Sequence, residues 1–150
     1  MSRFFVKWIL LGVLVLLPSR PFADTGIVFI VNRQNSLSQV SLRDLNDYYL
    51  KKKRQWNDDV PVRFIDKNAA SPERQIFLSK YLHQSSSDLD LYWFGQKLHT
   101  GDSIPIQVNS DSIVIQLVKS FRGGIGYISS RGPLNDKLVK VIKITDLPQD

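Results

Sequence analysis

Four residues between positions 67 and 74 have the types and spacing expected of a small-anion site. Asn68, Ser71 and Arg74 offer an amide, a hydroxyl and a guanidinium as hydrogen-bond donors, and Lys67 adds a positive charge. Ser71 is placed to cap a helix that Pro72 opens, and the first turn of a helix presents free backbone N–H groups. Such groups favour an anion at a helix N-terminus. One interpretation is therefore a turn that binds a small oxyanion.

The same stretch also fits an ordinary capped helix with no ligand. In that interpretation Arg74 pairs with Asp66 or Glu73. Ser110 or Ser112 begins a further helix, and a serine at such a position usually serves as a cap. The residues by themselves leave both interpretations open.

Other chemistry is sparse in the sequence. The two histidines, His83 and His99, stand apart from any metal-ligand spacing, the chain has no cysteine, and no nucleophile elbow is present. We therefore predict no enzyme activity, no catalytic residue, no metal and no cofactor. Lys51, Lys52 and Arg54 end a predicted helix and could dock an anionic partner or lipid headgroups, although a solvated helix end is the simpler explanation.

The first 23 residues have the pattern of a cleaved signal peptide. Arg3 and Lys7 precede a ten-residue apolar run at 8–17, which is shorter than the roughly 20 residues that span a membrane. The alternative is a retained N-terminal anchor. Removing this leader from the 150 residues leaves one domain of 127 residues at 24–150, with 17 basic and 14 acidic residues and a net charge of +3. We expect a periplasmic protein that does not bind nucleic acid.

Strands and helices alternate along the remainder. The apolar run at 27–31 and the alternating residues at 60–64 predict strands, and a weaker strand at 104–108 is expected at a sheet edge because it contains Pro105. Helices are predicted after Ser41, after Ser71, from Ser87 through an apolar run at 89–98, and from Ser110 or Ser112 to Gly123. The run at 89–98 is apolar almost all round, so we expect that helix to pack on several sides. Strands at 125–129 and 138–144 complete the chain. This order predicts an α/β domain with a mainly parallel sheet flanked by helices.

The order of short motifs resembles the phosphate-binding proteins of bacterial ABC transporters. The residues that carry the resemblance are Val31-Asn32-x-x-Asn35, Ser41-Leu42-x-x-Leu45, Ala70-Ser71-Pro72-Glu73-Arg74-x-x-Phe77 and Gly124-Ile125-Gly126-Tyr127. The resemblance implies a single lobe of a type II periplasmic binding-protein fold, since those receptors hold their ligand between two lobes. It also implies a ligand turn made by Asn68, Lys67, Ala70, Ser71 and Arg74.

Several departures from the family pattern bear on ligand binding. The family turn is rich in glycine and hydroxyl residues, whereas this chain has Pro72, which lacks an N–H donor, and Glu73, which adds a carboxylate. A carboxylate about 4 Å from a bound phosphate would repel it by several kcal/mol at a surface-like dielectric. Lys51 also stands where the relatives keep a glycine.

Two functions follow from these patterns. The first is a periplasmic solute-binding-like protein that binds phosphate or a similar oxyanion weakly. In the first, a second copy of the chain, as a homodimer, or another partner could face the binding site. The alternative is an interaction module that docks on a membrane sensor or envelope complex. In the alternative, Lys51, Lys52, Arg54 and the Ser71 turn would belong to one contact surface.

Overall fold

The computed structural model describes residues 26–134, 137 and 139–148. The predicted signal peptide at 1–23 lies outside the described residues. Across the described part, no helix combines the length and the hydrophobicity that a membrane crossing needs.

The predicted elements occur in the predicted order with adjusted boundaries, and one short strand at Gln39–Ser41 was not predicted. The elements are β1 (Ile27–Asn32), β2 (Gln39–Ser41), α1 (Leu42–Tyr49), β3 (Arg63–Lys67), α2 (Pro72–Ile76) with a π-helical extension (Phe77–Leu82), α3 (Ser86–Thr100), β4 (Ile106–Val108), α4 (Asp111–Ser120), β5 (Gly124–Ser129) and β6 (Val139–Thr145). The predicted α/β lobe is confirmed.

The strands form one mixed sheet in the order β2-β6-β1-β5-β3-β4. Strand β3 runs parallel to β4 and β5, and β2 runs parallel to β6. Strand β1 is antiparallel to both of its neighbours, pairing Phe29 with Tyr127 and with Ile142. The sheet is thus parallel in three of its five pairings. A fully buried strand is apolar on both faces, so its sequence does not show its direction.

Two cores lie on the opposite faces of this sheet. Successive residues of β1 alternate between them, with Phe29 in one and Ile30 in the other, as the two-residue period of a strand requires. Helices α1 to α3 cover the first face, where an aromatic cluster lies around Phe77, and α4 covers the second. Burial on both faces explains the continuous apolar run that identified β1.

Several predicted boundaries are confirmed. The backbone N–H of Asp44 donates to the Ser41 side chain over 3.1 Å, which caps α1. Gly101 ends α3 with φ of +73°, a conformation that glycine adopts without strain. The strand with Pro105 just before it, β4, lies at an edge of the sheet. Local sequence signals therefore placed the start of α1, the end of α3 and the edge position of β4.

Other predicted boundaries are wrong. Strand β3 runs over Arg63–Lys67 instead of 60–64, and α1 ends at Tyr49, before the basic residues that were predicted to end it. Helix α3 is capped by Ser85, whose hydroxyl accepts from the N–H of Asp88, so the serine–aspartate spacing was assigned two residues too late. Helix α4 ends at Ser120, before the glycine pair. A Cβ at Gly123 would lie 1.8 Å from the carbonyl oxygen of Pro61, so this glycine allows two backbone segments to approach closely.

The prediction that α3 packs on several sides is also wrong. Leu89 and Trp93 are buried in the first core. Leu91, Phe94 and Leu98 are 71%, 65% and 67% exposed. The helix has apolar residues on two opposite faces, and the lobe covers one of them.

Candidate functional site

The predicted anion turn lies where β3 leads into α2. Strand β3 runs to Lys67, so Asp66 and Lys67 belong to the strand and not to the connection that the sequence suggested. The N–H of Ser71 donates to the carbonyl of Asn68 over 3.0 Å, which closes the turn. The Ser71 side chain caps α2 and Pro72 is its first residue, and both predictions are confirmed.

Asp66 is the centre of a fully buried hydrogen-bond network beneath the turn. Its carboxylate accepts from the hydroxyls of Tyr49, at 2.8 Å, and Tyr127. It also accepts from the Lys67 N–H at 2.7 Å and from Arg74 Nε at 3.2 Å. Arg74 is therefore held inside the lobe by Asp66, as the alternative interpretation of the turn predicted.

The two tyrosines in this network act as permanent hydrogen-bond donors. Burial raises the pKa of Tyr49 and of Tyr127 well above the usual value of 10, and the nearby charge of Asp66 raises both pKa values further. The hydroxyls thus keep their protons across the physiological range. They hold the end of β3 in place from below the turn.

A second group of charges lies beside the turn, where Lys67 is buried and Glu73 and Asp111 are partly exposed. Lys67 Nζ makes ion pairs with Asp111 and, at 3.5 Å, with Glu73 Oε2. The Ser71 hydroxyl donates to the same Glu73 oxygen over 2.6 Å. The hydrogen bond from Ser71, with a further contribution from Lys67, lowers the pKa of Glu73. The Glu73 carboxylate therefore stays ionised between the two groups that were predicted to receive an anion.

The cluster as a whole contains two cations, Lys67 and Arg74, and three carboxylates. Every cation in it already has a carboxylate partner. An external anion would therefore have to displace one of these partners before it gained a positive charge.

The remaining predicted residues of the turn are Asn68 and Ala70. The N–H of Asn68 donates to the Val108 carbonyl over 2.9 Å and prolongs the ladder between β3 and β4. Ala70 is exposed. The five predicted residues thus lie together at the carboxyl end of β3, and whether they bind a ligand stays a prediction.

Asp111 was missed as a member of this site, although the sequence contained a usable signal. It follows Ser110, which caps α4, and it occupies the first turn of that helix. Because β3 and β4 are parallel neighbours, the helices that follow them begin at the same edge of the sheet. Asp111 accepts from the N–H of Ser129 over 3.2 Å, so it also ties in the end of β5.

The predicted contact residues of the alternative function lie at the other end of β3. Lys51 Nζ donates to the Ser103 carbonyl over 2.6 Å, and Arg54 makes a bidentate pair with Asp102 at 2.5 and 2.9 Å. Both basic residues line a cleft of about 270 Å³ beside Arg63, the first residue of β3. They therefore do not share one surface with the Ser71 turn, which follows the last residue of the strand.

Lys51 and Lys52 differ in their surroundings. Lys52 is exposed and lines another cleft, so the three basic residues do not form one patch. Lys51 has φ of +57°, the left-handed conformation that favours glycine. The glycine that the resemblance implies at this position would adopt this conformation without strain. Within the described residues, no cluster of three or more metal-ligating side chains occurs.

Comparison with solved structures identifies the fold. The chain is similar to an ABC-type phosphate transport receptor from Vibrio cholerae, with 21% identity and a TM-score of 0.62 over 81% of this chain and 47% of the receptor. It is also similar to a putative phosphate transporter substrate-binding protein with bound phosphate from Clostridium perfringens, with 20% identity and a TM-score of 0.65 over 82% and 46%. A third similar structure is PstS from Borrelia burgdorferi, with 14% identity, a TM-score of 0.63 and coverage of 83% and 49%.

The chain spans about half the length of each of these solved structures. No protein-family model matches the sequence, and no curated protein matches it. The similarity is therefore one of fold, and it confirms the predicted resemblance to one lobe of a phosphate receptor at that level.

Proposed function

Starting from a chain with the fold of one phosphate-receptor lobe, we propose that it is a non-enzymatic solute-binding-like protein that binds a small oxyanion at the Ser71 turn. The observation that supports this is the convergence of the Ser71 hydroxyl and the Lys67 ammonium on one oxygen of Glu73. A hydroxyl and an ammonium aimed at one carboxylate oxygen form a binding geometry for an oxyanion. The signal at 1–23 would export the protein to the periplasm.

In this proposal Glu73 competes with the ligand. Phosphate, or a similar oxyanion, would take the place of the Glu73 carboxylate and accept from Ser71 and from Lys67. Arg74 would act indirectly, because it is tied to Asp66 beneath the turn. Displacing an ionised carboxylate that keeps two partners costs affinity, so we expect millimolar binding in the natural protein.

Replacing the competing carboxylate tests this mechanism. Glu73→Gln keeps the side-chain length and removes the charge, so we expect it to tighten phosphate binding by at least about tenfold, or roughly 1.4 kcal/mol. The measurement is calorimetric titration of residues 24–150 with phosphate, with chloride at equal ionic strength as the reference ligand.

Asp58→Asn is the matched control, since it removes the same charge from an exposed carboxylate whose partner is Arg122. We expect the phosphate affinity of this variant to equal that of the natural chain. The proposal is ruled out if the natural protein and Glu73→Gln are both folded and neither shows a heat of phosphate binding up to several millimolar phosphate.

A further inference from the structure

Helix α3 carries an uncovered apolar stripe on its outer face. Leu91, Phe94 and Leu98 recur at intervals of three and four residues, which places them along one side of the helix. They are about two-thirds exposed, whereas Leu89 and Trp93 on the opposite side are buried. Single exposed apolar residues are common on proteins, but a contiguous group marks a contact surface.

Two opposite charges flank the stripe on the same side. Asp90 and Lys97 are seven residues apart, so they lie nearly one above the other on the helix, about 10 Å apart along its axis. Both are exposed, and no ion pair involving either occurs within the described residues. The acidic and the basic end of this flank are therefore both available to a partner.

We propose that the stripe is an interface between two copies of this chain, packed with their α3 helices antiparallel. A two-fold axis passing beside Phe94 would bring the two apolar stripes face to face. The same axis would place Asp90 of each copy opposite the partner's Lys97, giving two equivalent ion pairs. An interface of this kind is self-complementary, as two-fold symmetry requires.

The charge pattern favours an antiparallel pair of copies over a parallel pair and over an anionic membrane. In a parallel pairing, Asp90 would be level with the partner's Asp90 and Lys97 with the partner's Lys97, an arrangement without charge complementarity. An anionic membrane would attract Lys97 but repel Asp90 beside the same stripe. The antiparallel pair is the arrangement in which both charges find opposite partners.

The size of the surface predicts a weak, reversible dimer. Helix α3 has 15 residues and is therefore about 22 Å long. Ile104, which is 49% exposed, lines a cleft with Phe94 and extends the apolar surface beyond the helix. Stable interfaces bury about 800 Å² on each partner, so an interface made by one helix face of this length and this short extension should be weak.

A charge-swap experiment tests the proposal. Sedimentation equilibrium of residues 24–150, from about 5 to about 500 µM, should show monomer and dimer in exchange. Lys97→Glu and Asp90→Lys should each weaken dimerisation by about tenfold or more, because each brings like charges together. The double variant, Asp90→Lys with Lys97→Glu, should restore the natural dimerisation constant to within about threefold.

Two further variants separate the interface from the fold. Lys119→Glu reverses an exposed lysine on α4 and should leave dimerisation unchanged. Phe94→Ser removes the centre of the stripe and should abolish the dimer while the circular dichroism spectrum stays that of the natural protein. Added phosphate should not change any of these constants, so the dimer is judged independently of the proposed ligand.

The proposal is overturned if the natural protein stays monomeric up to the highest concentration. It is equally overturned if the double charge swap dimerises no better than the single variants. A further outcome is that the protein is monomeric and sediments with vesicles of phosphatidylcholine and phosphatidylglycerol. If Phe94→Ser abolishes this vesicle binding, the stripe binds membranes and the dimer is refuted.

Discussion

Replacing the aspartate at position 66, as in Asp66→Asn, would disrupt the buried hydrogen-bond network under the turn. Every partner of the Asp66 carboxylate is a donor: Tyr127 and the Lys67 N–H meet Oδ1, and Tyr49 and Arg74 meet Oδ2. An asparagine offers one acceptor oxygen, and its NH₂ group would face two of these donors. In Asp66→Asn, two of these donors therefore face an NH₂ group in place of an acceptor, and one of them can be the Arg74 guanidinium, which also loses its charged partner.

The expected loss of stability is large for a domain of this size. Breaking a buried ion pair by removing one partner costs about 3–5 kcal/mol. Small domains have a free energy of unfolding of about 5–15 kcal/mol, so the variant would lose a large share of it. With an m-value of about 2 kcal/mol per molar urea, the midpoint of unfolding should fall by about 2 M.

Urea unfolding followed by tryptophan fluorescence measures this change, because Trp56 and Trp93 are buried in the core. Asp58→Asn makes the same substitution in an exposed pair with Arg122, and we expect a change below about 0.5 kcal/mol. If Asp66→Asn lowers the free energy of unfolding by less than about 1 kcal/mol, the network does not hold the turn as described.

Two further predictions concern a glycine and a carboxylate. Gly123→Ala would place its Cβ 1.8 Å from the Pro61 carbonyl oxygen and should destabilise the protein by about 2 kcal/mol or more in a thermal melt. The control is Gly95→Ala on α3, whose Cβ would meet no atom within 4 Å, and it should be neutral or stabilising in the same measurement. The hydrogen bond from Ser71 lowers the pKa of Glu73 below its usual 4.5. The ionised Glu73 carboxylate therefore stabilises the fold above that value, and this stabilisation is lost as the pH falls through the lowered pKa. Between about pH 5 and about pH 3, the natural protein should therefore lose more stability than Glu73→Gln; equal losses would contradict this.

Features that depend on neighbouring residues in the chain were predictable. The caps at Ser41 and Ser71 follow from residue types within one helical turn, and the buried strand β1 follows from its apolar run. The edge position of β4 follows from Pro105, which has no N–H to donate. These signals are local because a cap or a strand is made by a few consecutive residues.

Features that depend on the packing of distant segments were not predictable. The outer face of α3 looked like core because periodicity shows that Phe94 is apolar but not what lies opposite it. Gly123 looked like a helix end, although its role is set by Pro61 on another segment. The ion pair of Lys67 with Asp111 was not predicted for a related reason: Ser110 marks a helix start, but the pairing of β3 with β4 is what brings Asp111, 44 residues further along the chain, beside Lys67.

The sequence by itself determined an α/β lobe, its helix caps and a resemblance to phosphate receptors. The tertiary structure decided that the basic residues near Lys51 and the Ser71 turn lie at opposite ends of β3, and that Glu73 and Asp111 already neutralise Lys67. The physical reason is separation along the chain. Caps and periodicity depend on residues a few positions apart, whereas charge pairing in a site depends on which strand and helix ends the sheet brings together.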